Sequence, residues 1–60
     1  MVIMFEDRKT GVRAGLNDEG ALFLSDGREG YNLPDTPRNR VYIKRDFERM
    51  TGKKMVPDRI

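Results

Sequence analysis

Residues 36–52, TPRNRVYIKRDFERMTG, constrain this chain more than any other stretch, because both ends of a helix are written into them. Asp35 or Thr36 can accept hydrogen bonds from the unpaired amides of a first turn, and Pro37 is tolerated there since its missing N–H has no partner inside a helix. Gly52 stands where a left-handed C-cap belongs, and Lys53 and Lys54 lie near the negative end of the helix dipole. The spacing predicts a helix over about 36–51. At about 100° per residue, Ile43, Phe47 and Met50 fall in one narrow sector, the face expected to pack. Arg38, Arg45 and Arg49 fall nearly opposite, with Tyr42 at the margin and Val41 as a misfit on the basic side. A competing reading takes 40–44, RVYIK, as a fourth strand, because it alternates and is rich in β-branched and aromatic residues. That reading leaves an unstructured connection over 26–39, longer than compact domains tolerate.

The first half reads as strands. Residues 2–7 are apolar and β-prone and run into a turn at Arg8 to Gly11, after which 12–17 alternates, with Val12, Ala14 and Leu16 on one side. Asn17 to Gly20 is a turn in which Gly20 closes a three-residue hairpin loop, and 21–25 is the third strand, stopped by Asp26 and Gly27. If both loops have three residues, Leu16 faces Leu22 and Met4, Ala14 faces Leu24, and Phe5 and Phe23 flank Gly15 on the opposite side. The sheet is then apolar on both faces, and one helix covers only one. Beyond Asp26 a loop is expected, anchored by Tyr31 and Leu33. The predicted class is therefore α+β: a three-stranded antiparallel β-meander (about 2–7, 12–17 and 21–25) followed by a C-terminal α-helix (about 36–51). The whole reads as one small domain over 1–60, with 53–60 a candidate flexible tail in which Met55 and Val56 could fold back.

Composition narrows the means of holding such a fold together. A chain of 60 residues buries a thin core, and small domains usually compensate with disulfides, a metal or self-association. With no Cys and no His, disulfides are impossible and a structural zinc site nearly so, which leaves self-association or very regular packing. The missing cysteines fit a cytoplasmic protein better than a small secreted one. The longest uninterrupted apolar run, Met1 to Phe5, is far short of the roughly 18 residues of a membrane span and too short for a signal-peptide core, so no membrane contact is expected.

Charge is unevenly placed. Over 1–35 four bases stand against seven acids, 4 − 7 = −3; over 36–60 eight bases stand against three acids, 8 − 3 = +5, and the two halves sum to the net +2. A basic half attracts polyanions.

Catalysis is not expected. There is no His to act as a base, no Cys nucleophile, and the single Ser25 has no activating partner nearby in sequence. Glu6, Asp7, Asp26 and Glu29 read as solvated turn carboxylates, and no cofactor is implied. Thr51 to Lys54 superficially matches a phosphate loop but lacks its upstream glycine. Asn17, Asp18 and Glu19 offer oxygen ligands without the spacing of a calcium loop, so no metal site is expected.

Two surfaces are candidates for binding. Arg38, Tyr42, Arg45 and Arg49, with Lys53 if the helix frays late, follow an i, i+4, i+7, i+11, i+15 pattern that sets one helix edge along phosphates, with an aromatic at its side. The row of Phe5, Gly15 and Phe23, with Val41 as the exposed apolar residue of the helix, suits a protein partner or a second copy of the chain. A three-stranded meander followed by one helix resembles in architecture the small DNA-binding domains at the amino end of phage-type integrases and of the plant AP2 class, which read a groove with the sheet. The local match is Phe5 to Gly11, FEDRKTG, running into a strand. The acidic sheet departs from the basic reading strands of those domains, so the likeness assigns no family. The expected function is a non-catalytic binding or regulatory module, nucleic-acid-associated through the basic helix face; the alternative is a protein-interaction module using an apolar sheet face.

Overall fold

The computed structural model describes residues 1–53. Four antiparallel strands, β1 (Val2–Glu6), β2 (Arg13–Leu16), β3 (Leu22–Ser25) and β4 (Gly30–Leu33), lie side by side in chain order, and one helix, α1 (Pro37–Thr51), crosses one face of the sheet. The class is α+β as predicted, with one strand more than the sequence reading gave. The expectation for the tail falls, beyond Lys53, outside the described residues.

The helix starts and stops where its signals stand. The Thr36 hydroxyl accepts from the Asn39 amide at 3.1 Å, Pro37 opens the first turn, and Gly52 closes the last in the left-handed conformation, its N–H donating to the Glu48 carbonyl at 2.8 Å. Residues 40–44 are helical, so the competing strand reading of RVYIK is set aside.

The middle hairpin has the expected three-residue loop. The Asn17 N–H donates to the Ala21 carbonyl, the Asn17 side chain accepts from the amides of Glu19 and Ala21, and Leu16 pairs Leu22 as Ala14 pairs Leu24. The first hairpin differs by one residue. Asp7 pairs Val12 through an N–H to carbonyl bond of 2.9 Å, so the loop is Arg8 to Gly11, four residues long. Phe5 consequently stands opposite Ala14, and a bulge between Ile3 and Phe5 brings Ile3 opposite Gly15 and Val2 opposite Leu16. A slip of one residue moves side chains to the other face. It corrects two expectations: Met4 does not face Leu16, and Phe5 does not flank Gly15.

The fourth strand corrects the loop expected after Asp26. The Asp26 N–H donates to the Glu29 carbonyl at 3.0 Å, and the Asp26 carboxylate accepts from the amides of Arg28 and Glu29, each at 2.8 Å. Gly27 takes a φ of 92°, the positive value that the first central residue of the tight two-residue hairpin turns adopts. The two expected anchors, Tyr31 and Leu33, sit on this strand opposite Leu24 and Leu22 and pack against the core.

That core consists of Phe5, Val12, Ala14, Leu22, Leu24, Ile43 and Phe47, with Met4, Leu16, Tyr31, Leu33 and Met50 half-buried around it. Phe47 meets Phe5 with ring centroids 5.5 Å apart. Ile43, Phe47 and Met50 thus form the packing sector read from the spacing, and the helix lies over β2 and β3.

Candidate nucleic-acid interface

The packing sector fixes which helix residues look outward. Val41 and Tyr42 are 50% and 56% exposed, and Arg38 and Arg45 are exposed on either side of them. Arg38, Val41, Tyr42 and Arg45 together line one shallow groove along the helix. Val41, the misfit of the helical pattern, is therefore a wall of a cationic groove, and the core does not use it.

The five cations and aromatics of the predicted stripe do not form one continuous surface. Arg38, Tyr42 and Arg45 are brought together, and neither arginine has an ion pair or hydrogen bond among the described residues. Arg49 borders the same region with Tyr42 and Arg45, but its guanidinium is bonded to Asp46. Lys53 turns away to the far end of the sheet, where its ammonium holds the Asp7 carboxylate at 2.8 Å.

Each engaged acid has a local cause for its charge. Asp7 is 2% exposed, and the hydrogen bond from Lys53, joined by one from the Thr10 hydroxyl at 2.7 Å, lowers its pKa to about 2. The Tyr31 hydroxyl donates to Asp46 at 2.6 Å; that bond, with Arg49 on the other oxygen, holds the Asp46 carboxyl below its ordinary range. Burial, reinforced by the bond to Asp46, pushes the Tyr31 phenol upward. At the start of the helix Arg40 grips Asp35 with two bonds of 2.6 and 2.8 Å, which lowers the Asp35 pKa. Glu48 is not free either.

Tyr42 is steadied by this network without being buried in it. Its ring meets that of Tyr31 edge-on, 6.2 Å between centroids and 70° between planes. Tyr31 in turn is anchored through Asp46. The sequence reading named Tyr31 as an anchor, Asp35 as a cap candidate and Asp7 as a turn carboxylate, but it did not give them the partners Asp46, Arg40 and Lys53 that the fold supplies. Only the Asp46 to Arg49 pair, three residues apart on the helix, carries a local signal that could have found it.

The second predicted surface is rearranged. Across the open sheet face the row is Ile3, Gly15, Phe23 and Asn32. Phe5 is 6% exposed in the core and cannot take part in an interface there. Gly15 is required by close approach: a Cβ at that position would lie 2.0 Å from the Val2 carbonyl oxygen. Ile3 is 40% exposed, and Phe23 is half-buried beside it.

Among the described residues no helix is long and apolar enough to cross a membrane, and no group of three or more acidic, His or Cys side chains is placed to hold a metal ion. No family model, curated protein or solved structure matches the chain.

Proposed function

We propose that the chain is a non-catalytic nucleic-acid-binding module that holds phosphates on the outward face of α1. The observation that carries this reading is the pair of uncommitted guanidiniums, Arg38 and Arg45, exposed on either side of Tyr42 in one groove. Seven residues of helix separate them by about 10.5 Å, so the two cations can engage one backbone at separate phosphates. Acids that would compete for them are already bonded: Asp46 to Tyr31 and Arg49, Asp35 to Arg40.

The test is titration of a labelled oligonucleotide over a range of salt. Two phosphate contacts on a single strand give a slope of log K against log salt of about −1.4. Arg38→Gln with Arg45→Gln flattens that slope and removes most of the affinity at low salt. Binding that is absent at low salt, or indifferent to salt, would end this reading.

A second reading is a protein-contact module, whether adaptor, inhibitor or self-associating domain, and it is favoured by Ile3 and Phe23 flanking Gly15 on the face the helix leaves open. Sedimentation across a concentration series tests its self-associating form. A mass that rises with concentration and falls back in Ile3→Ser with Phe23→Ser supports it, and a monomer throughout removes it.

A further inference from the structure

We propose that the nucleic acid held on α1 is unpaired, and that one of its bases stacks on Tyr42. This rests on the phosphate-binding reading and says what kind of strand that face takes. Tyr42 is a wall shared by three shallow grooves: one with Arg38, Val41 and Arg45, one with Arg45, Asp46 and Arg49, and one with Tyr31, Leu33 and Asn39. Its ring therefore stands out as a ridge with open space on several sides. An aromatic ring left standing between two uncommitted arginines combines the two parts of a single-strand site, cations for the backbone and a π-face for a base.

The ring is also held in place before any ligand arrives. Tyr31 meets it edge-on and is itself fixed by its bond to Asp46. A preset ring loses little rotamer freedom on binding, so more of the stacking energy appears as affinity. A base inside a duplex already has both faces covered by its neighbours, and a protruding tyrosine gains nothing from it. Reading of adenine edges in a duplex groove calls for a free amide side chain, and the only amide on the helix, Asn39, donates to the Pro34 carbonyl at 2.9 Å. Arg38 and Arg45 then serve as the two backbone anchors on either side of the stacked base.

The experiment uses the full chain with three probes at low salt: a short oligo-thymidylate, a blunt duplex of similar length, and inorganic polyphosphate as a charge-only control. The expected results are tighter binding of the single strand than of the duplex, and quenching of tyrosine emission by the single strand. Tyr42→Leu should weaken the single strand by about tenfold or more while leaving polyphosphate unchanged, and Tyr42→Phe should retain the affinity. Circular dichroism of both variants confirms the fold, which an exposed position tolerates. If the duplex binds more tightly, or Tyr42→Leu holds the single strand as well as the parent does, stacking is overturned while the phosphate reading stands. If no probe binds, both fall together.

Discussion

The cations on α1 and just beyond its end divide into two kinds, and the division is spatial. Arg40, Arg49 and Lys53 each meet an acid brought to them by the fold: Asp35 just before the helix, Asp46 one turn back along it, and Asp7 on the first hairpin. Arg38, Lys44 and Arg45 project from α1 and their side chains meet none among the described residues. By sequence all six are equal, and the +5 of the second half counts them alike. The committed three belong to the architecture. Of the three uncommitted, only Arg38 and Arg45 share a groove with Tyr42, so the charge gathered there is smaller and more localised than the stripe suggests.

Substitutions that treat the two kinds separately can break this comparison. Lys53→Met should have the largest effect on stability, because it leaves the nearly inaccessible Asp7 carboxylate without its cation. The expected outcome is a lower thermal midpoint at neutral pH, and an unchanged midpoint would return Lys53 to the binding stripe. Acid titration sharpens the same point. Asp7 ionises at about 2 in the folded chain against an ordinary value of 3.8, so its contribution is fully present above about pH 3.8 and is lost as pH falls through 2. Denaturant melts between pH 5 and 2 should show a steeper acid loss for the parent than for Asp7→Asn, although Asp26, Asp35 and Asp46 act in the same direction.

Arg49→Gln comes next. The Arg49 side chain is 74% exposed, and an exposed ion pair contributes less than about 1 kcal/mol, so chemical denaturation should detect a small loss at most. Smallest of all is the effect expected from Arg38→Gln with Arg45→Gln, which should leave the thermal midpoint where it is while the oligonucleotide affinity falls. A large loss of stability in that double variant would mean that these two arginines are structural after all.

What could be read from the sequence follows the range of the interactions involved. The helix was legible to within a residue because Thr36, Pro37 and Gly52 act locally, and Ile43, Phe47 and Met50 repeat with the helix's own period. The middle hairpin was legible for the same reason, since Asn17 and Gly20 define their loop within a few residues. The first hairpin was not. Arg8 to Gly11 can form a loop of three or four residues, and that single residue decides whether Phe5 enters the core or stands beside Gly15. The bulge near Met4 then shifts the pairing again, and nothing in MVIMFE announces it. β4 was hidden by Gly30 and Asn32, both poor strand formers, although its two packing residues were recognised.

The site divides in the same way. Arg38, Tyr42 and Arg45 were visible as a helical spacing, and even the misfit of Val41 pointed to the groove it lines. The bond from Lys53 to Asp7 was not legible because the two lie 46 residues apart, and no count of charges reveals a contact of that range. The Tyr31 to Asp46 bond, 15 residues apart, depended on a strand that had been read as loop.

The bulge in β1 has a consequence for how the molecule behaves in a crowd. β1 is an outer strand, and it contains the longest apolar run of the chain, with Met1, Val2 and Ile3 exposed. A straight strand of that composition would present its free amides and carbonyls as a template on which further copies could add, strand after strand, into fibres. The irregularity between Ile3 and Phe5 interrupts that template after two residues on one side and leaves it bent. The extra residue that obscured the register is thus also what makes this margin of the sheet hard to copy.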